Sequence, residues 1–281
     1  MRFWILLLVF CVFAGPVRAK DYYFTASDGA RLHYTEKGPK GAPILVFVPG
    51  WTMPGWIFTP QTLYFDRKYQ VVEFDPRGQG VSEVAGSGYD PVRRGEDIGE
   101  LLDRLPGKVV VVGWSLGVLD TLAYIHQNGE AKLAGLVLID NSVGENPPPT
   151  PGPYHAPYHG SAAVGRDAQM HEFVCGMFES RQSPAYLNRL TQVCLRLPAD
   201  DAEALLHYPV PREYWKAALL STDVPVLYVV RPHLQAQAEN LQRDRPNTSI
   251  AMFPKAGHAL FVDEATRFNA LMSHFLENSV W

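Results

Sequence analysis

Residues 109–125 read VVVVGWSLGVLDTLAYI. The valine run bounded by a glycine reads as a short strand buried on both faces, and LGVLDTLAYI reads as the start of a helix. A polar hydroxyl, Ser115, stands where one becomes the other, with Gly113 and Gly117 on either side. Glycines there remove the Cβ atoms that would strike the neighbouring strand and helix, so the serine side chain projects above the end of the strand. Gly113-Trp114-Ser115-Leu116-Gly117 fits G-x-S-x-G in the strand-to-helix context that makes the serine a candidate nucleophile rather than an ordinary turn residue.

Outward from this point the chain alternates. ILVFVPG (44–50), QVVEFD (70–75), LAGLVLID (133–140), VPVLYVV (224–230) and TSIAMF (248–253) are further short apolar runs. Helix-period segments at 91–104, 116–127, 233–243 and 262–277 separate most of them. DYYFTA and RLHYTEK, joined by SDG, read as a hairpin. Strand and helix in alternation imply an α/β fold with a mostly parallel sheet covered on both faces. One interruption stands out between Asp140 and Val224: a proline-dense stretch, ENPPPTPGP (145–153), then helical patterns over 165–220. An insertion of about 80 residues is too long for a plain connection. It reads as a helical cap, residues 145–220, set into a core of residues 20–144 and 221–281.

The chain has 281 residues, 47% hydrophobic and 19% charged, enough for one substantial core. Its formal net charge is -4, and no Lys/Arg run offers a nucleic-acid footprint. At the N-terminus, MRFWILLLVFCVFAGPVRAKD combines a basic Arg2, an apolar run and a small residue, Ala19, suited to cleavage. Residues 1–19 therefore read as a signal peptide for periplasmic or secreted export. The apolar run of about 11 residues falls short of the ~20 that a membrane span needs. Cleavage would remove Arg2, Arg18 and Cys11, leaving Cys175 and Cys194. In an exported chain these two are expected to form a disulfide worth about 3 kcal/mol. The alternative is two buried thiols too far apart to bond.

Three further segments join the serine turn. VFVPGWT (46–52) looks like an oxyanion turn, FDPRGQGVS (74–82) like an Asp-x-Arg-Gly-x-Gly-x-Ser structural turn, and FPKAGHALFVDE (253–264) like a loop carrying a catalytic histidine. With these four motifs in order, the chain resembles the α/β-hydrolase family over residues 21–281. The resemblance implies Ser115 as nucleophile and His258 as general base. It also implies the backbone N–H groups of Trp51 and Leu116 as oxyanion donors. Where the family usually has His-Gly, this chain has Pro49-Gly50, so the side-chain hydrogen bonds of that histidine are missing. The family's acid commonly follows the strand written here VPVLYVV, yet RPHLQAQAE offers no carboxylate before Glu239. The other placement, one strand earlier, falls on Asp140; a plain strand-end cap is its alternative reading. Asp75 belongs to the structural turn, and Asp263 and Glu264 read as helix-start carboxylates.

Gly50 and Trp114 are expected beside the substrate. Trp51, Met53, Trp56, Phe173, Met177, Phe178, Tyr186, Tyr214 and Trp215 supply aromatic and apolar candidates for a pocket, though aromatics at helical spacing mostly pack inward. The expected function is hydrolysis of a small-molecule carboxylic ester or lactone through an acyl-enzyme, with no metal or organic cofactor called for and no nucleic-acid partner. Amidase, peptidase and perhydrolase chemistry use the same parts. A binding protein on a hydrolase scaffold is the reading from a different class.

Overall fold

The computed structural model describes residues 19–148 and 165–281. All of the expected signal segment but its last residue, and most of the proline-dense stretch opening the cap, lie outside the described residues. Strands β1 (Lys20–Thr25) and β2 (Arg31–Lys37) pair antiparallel around the SDG turn. β3 (Ile44–Val48), β4 (Gln70–Asp75), β5 (Val109–Trp114), β6 (Leu133–Ile139), β7 (Val226–Val230) and β8 (Thr248–Met252) run parallel to one another. Together they make an 8-stranded sheet in the order β1-β2-β4-β3-β5-β6-β7-β8. Every residue of β3, β5 and β7 is buried, which is why these strands are runs of Val, Leu and Ile rather than alternating sequences.

The helices are α1 (Thr59–Phe65), α2 (Pro91–Arg104), α3 (Leu116–Asn128), α4 (Arg166–Gly176), α5 (Pro184–Cys194), α6 (Ala199–Ala204), α7 (Arg212–Leu220), α8 (Gln235–Asp244), α9 (Leu260–Asp263) and α10 (Ala265–Phe275). α2 begins at Pro91 because Asp90 caps it, accepting from the N–H groups of Val92 and Arg93. The helix expected over 233–243 starts later, since Pro232–Leu234 forms a 3-10 turn first. The one expected over 262–277 is broken at Glu264, whose backbone leaves the helical region between α9 and α10. Helices α4 to α7 all lie between β6 and β7 in sequence; α7 packs on α3, with the Tyr214 ring tilted against that of His126 at 3.9 Å.

This topology sets the location of the site. From β3 the chain moves outward to β4, then returns to place β5 on the opposite side of β3. The crevice at the carboxyl ends of β3 and β5 is the switch point at which open α/β sheets take ligands. Val48 and Gly113 lie in register across it, so the residues that follow each strand emerge side by side.

Asp75, at the end of β4, pins the neighbouring turns. It accepts the N–H of Gly55 at 2.7 Å, the N–H of Val81 at 2.9 Å, and faces Nδ1 of buried His33 at 2.9 Å. The second nitrogen of His33 faces Asp21 at 3.2 Å. Burial opposes the charged imidazole, but the Asp75 and Asp21 carboxylates outweigh it and raise the pKa of His33 above its ordinary 6.5. A raised folded-state pKa gives stability that is fully present below 6.5 and is lost as pH climbs through the folded value. Thermal melts of wild type and His33→Gln should therefore differ most near about pH 5.5 and converge toward about pH 8.5. A gap that widens with pH would contradict this pairing.

Candidate active site

Ser115 sits between β5 and α3 with φ 53° and ψ -120°, a left-handed conformation that costs a non-glycine residue on the order of 1–3 kcal/mol. Its surroundings hold it there. Its N–H donates to Ile139 O at 2.9 Å, and its carbonyl accepts from Asn141 Nδ2 at 2.8 Å. The flanking glycines answer a steric demand. A Cβ on Gly113 would stand 2.6 Å from Gly117 O, and one on Gly117 would run into Val48 O. Gly50 is constrained from the other side, since its Cβ would lie 3.0 Å from Ser115 Cβ.

The Ser115 hydroxyl points at the histidine loop. His258 Nε2 is 2.8 Å from Ser115 Oγ, and His258 Nδ1 is 2.7 Å from Asp140 Oδ2. Asp140 follows β6, has φ 49°, and carries a fully buried carboxylate. Burial alone would raise the pKa of that carboxyl, but the His258 hydrogen bond and charge, together with Arg231, hold it below the ordinary carboxylate range. An ionised carboxylate only accepts, so the Nδ1 proton belongs to His258, and Nε2 turns a lone pair toward the hydroxyl. The array can take a proton from Ser115 and stabilise the resulting imidazolium. The place after β7 where a carboxylate was sought holds Arg231. Its Nε donates to Asp140 Oδ2 at 2.6 Å and its backbone N–H to Oδ1 at 3.0 Å.

The histidine turn is seated from three directions. Trp114 Nε1 donates to His258 O at 2.9 Å, and the Ala259 N–H donates to Met177 O at 2.9 Å. The Gly257 N–H donates to Asp263 Oδ2 at 2.7 Å. Asp263 lies in the single turn of α9, just ahead of α10, as a helix-start carboxylate should, and it also accepts from the N–H groups of Glu179 and Ser180 and from Ser180 Oγ. The segment leading out of α4 is thereby bound to the turn that carries His258.

Across the crevice, residues 50–53 form a tight turn in which Met53 N–H donates to Gly50 O at 3.1 Å and Thr52 takes φ 59°. This turn is braced by a side chain from elsewhere. Buried Gln79, from the structural turn, donates Nε2 to Gly50 O at 3.0 Å and to Met53 O at 2.8 Å, while its Oε1 accepts the Thr52 N–H at 3.2 Å. Trp51 follows Gly50 in this turn, and Leu116 is the first residue of α3, where an N–H has no acceptor within its own helix. The Trp51 indole donates to Ala202 O at 2.7 Å, and its ring meets Phe173 edge-on at 5.0 Å, so the turn also anchors α6 and α4.

Several sequence expectations change. Trp114 is not a pocket wall: only 1% exposed, its ring packs 5.2 Å from that of His258 and supports the loop carrying it. Tyr214 and Trp215 pack near His126, about 17 Å along α3 from Ser115 at 1.5 Å per residue, and take no part in the site. Cys175 and Cys194 are free thiols, so the expected disulfide is absent. Their sulfurs face different neighbours, Cys175 toward His171 Nε2 at 3.5 Å and Cys194 toward Met53 Sδ at 3.8 Å. Burial pushes the Cys194 thiol up to about 12. The sequence reading missed Gln79, Asn141 and Arg231. Only Arg231 left a signal, by standing where an acid was sought. Among the described residues no cluster of three or more His, Cys, Asp or Glu side chains could hold a metal ion, and no helix is long and apolar enough to cross a membrane.

The profile of the alpha/beta hydrolase family matches residues 45–271, and the chain belongs to that family. It is 30% identical over 119 residues to the bifunctional esterase/perhydrolase DCH of Acinetobacter calcoaceticus, a match covering 42% of this chain and 43% of that protein. The aligned stretch thus spans less than half of that curated relative's length. Among solved structures, a bromoperoxidase from Bacillus anthracis superposes with a TM-score of 0.78 at 19% identity, covering 92% of this chain and all of that one. A carboxylesterase from Bacillus subtilis superposes at 0.76 and 18% identity, covering 93% of this chain and 92% of that one.

Gln79→Leu removes the three hydrogen bonds that Gln79 makes to the 50–53 turn while putting an apolar side chain of similar size in its place. Leaving buried Gly50 O, Met53 O and Thr52 N–H without these partners should cost about 1–3 kcal/mol per unsatisfied group at most, read as a lower urea midpoint at unchanged m-value. A midpoint equal to wild type would show that the turn does not depend on Gln79.

Proposed function

We propose that this protein is an exported serine hydrolase of carboxylic esters or lactones. Supporting this reading above all is the unbroken chain of contacts Ser115 Oγ to His258 Nε2 to Asp140 Oδ2, at 2.8 and 2.7 Å, beside the turn after β3, whose Gly50 abuts Ser115. In this reading Ser115 Oγ attacks the acyl carbon as its proton passes to His258 Nε2. Asp140 holds the ring in its Nδ1–H tautomer and stabilises the imidazolium. The Trp51 and Leu116 N–H groups receive the tetrahedral oxyanion, which carries charge only along the reaction path and so is favoured over the bound ester. Collapse returns the proton from His258 to the leaving alkoxide and leaves an acyl-Ser115 ester. Water, deprotonated by the same imidazole, then releases the acid and restores the serine. The apolar and aromatic residues around the 50–53 turn favour an uncharged acyl or alcohol group.

The similarity to a bifunctional esterase/perhydrolase supports a second use of the same intermediate, in which hydrogen peroxide replaces water as the acceptor and a peracid leaves. A hydrolase-like binding protein would share the scaffold without forming the acyl-enzyme. Export rests on residues 1–19 and is tested by N-terminal sequencing of protein recovered outside the cytoplasm.

A panel of p-nitrophenyl esters and lactones, assayed with and without peroxide, tests the chemistry. Ser115→Ala should abolish turnover and fluorophosphonate labelling. Asp140→Asn should lower kcat by about 10⁴, the loss known for the equivalent change in chymotrypsin-type enzymes, because the amide favours the wrong tautomer. Turnover that survives Ser115→Ala, or wild-type protein that neither labels nor turns over, would rule the reading out.

A further inference from the structure

The acid and the guanidinium stand on adjacent paired strands, Asp140 one residue past β6 and Arg231 one residue past β7, with the Asp140 N–H donating to Val229 O at 2.8 Å. Asp140 reaches His258 only by turning back at φ 49°, a conformation an aspartate tolerates at a cost. Arg231 grips both carboxylate oxygens, by its backbone N–H to Oδ1 at 3.0 Å and by Nε to Oδ2 at 2.6 Å. Oδ2 is the oxygen that accepts from His258 at 2.7 Å, so one buried oxygen lies between two nitrogen donors that are both cationic once His258 is protonated.

The guanidinium is always charged, and its side chain is largely shielded from solvent, so screening does not cancel its field at Asp140. Other charged or titratable groups near this corner are engaged elsewhere. Tyr228 on β7 donates to Asn141 O at 2.6 Å and burial keeps it a neutral phenol, Glu145 pairs with Lys216 at 2.7 Å, and Asp263 accepts from the amides around the histidine turn. Among the described residues, the hydrogen-bond partners of the Asp140 carboxylate are Arg231 and His258 alone.

We propose that Arg231 is a positioning residue for the hydrolytic reaction: it locks the carboxylate of Asp140 into its turned-back pose and shares its negative charge with His258, which extends activity toward acid pH. The proposal rests on the serine-hydrolase reading above. Two effects follow and can be separated. The grip on Oδ1 and Oδ2 aligns the acid with the imidazole, which affects kcat. The positive charge beside Oδ2 weakens the hold of Asp140 on the imidazolium, so the base stays available at lower pH, which affects the acid limb of kcat/KM.

The test is the pH profile of p-nitrophenyl acetate hydrolysis by wild type, Arg231→Gln and Arg231→Lys, with Ser115→Ala in parallel. In Arg231→Gln the acid limb should move up by about one pH unit and kcat on the plateau should fall roughly tenfold, with KM within about twofold of wild type. Arg231→Lys keeps the charge but loses the Nε geometry, so its acid limb should stay with wild type while kcat falls. A purely structural role for Arg231 would lower kcat or the melting temperature in both variants without separating their acid limbs, and that result overturns the proposal. If Arg231→Gln does not fold, a shifted acid limb in Arg231→Lys overturns it as well. Wild-type turnover that persists in Ser115→Ala defeats the functional reading and this proposal together; Ser115-dependent turnover with unmoved limbs defeats only the role of Arg231.

Discussion

The site depends on how closely two backbones approach each other at the switch point. Gly117 lets the first turn of α3 press against the end of β3 so tightly that no side chain fits between it and Val48 O, and Gly50 lets the next turn abut Ser115 Cβ. Backbone at this distance is what sets the amide-bearing turn after β3 beside the serine after β5. The left-handed serine is the local cost of that approach. Hydrogen bonds from Ser115 to Ile139 and from Asn141 back to Ser115 O offset part of it by tying the strained residue to the end of the next strand. Each neighbouring feature, the tight 50–53 turn included, is a way of keeping that junction in one geometry.

What could be read from the sequence follows from how local each cause is. Strand runs and the serine turn depend on residues within a few positions of one another, and 109–125 carried its strand, its glycines and its helix without help from elsewhere. The pairing of Ser115, His258 and Asp140 was legible through order along the chain, because a parallel sheet sends the ends of β5, β6 and β8 to one edge. Contacts between side chains of distant segments were not. Gln79 lies in a motif whose variable position gives no hint that it braces residues 50–53, and Asn141 reads as a polar residue after a strand. The disulfide expectation failed for the same reason: compartment and count say that two cysteines can pair, while only the facing of their sulfurs says whether they do.

Pro49 and the missing carboxylate after β7 are departures of one kind. In each, a side chain from another segment stands at the place that local sequence leaves open. Gln79 braces the turn from the structural turn after β4, and Asp140, just past β6, meets His258 with Arg231 beside it. Neither replacement is visible as a motif, because each works through where the sheet places a residue rather than through its neighbours in the chain.

The bonds joining the segment after α4 to the histidine loop bear on modularity. Met177 O holds Ala259, and Asp263 holds Gly257, Glu179 and Ser180 at once, so this stretch of the insertion is masonry under the loop that carries His258. An insertion so footed cannot be exchanged for that of a sister enzyme as an interchangeable lid. Any graft in its place has to carry residues 177–180 along with it, or supply the same acceptor and donors from new sequence.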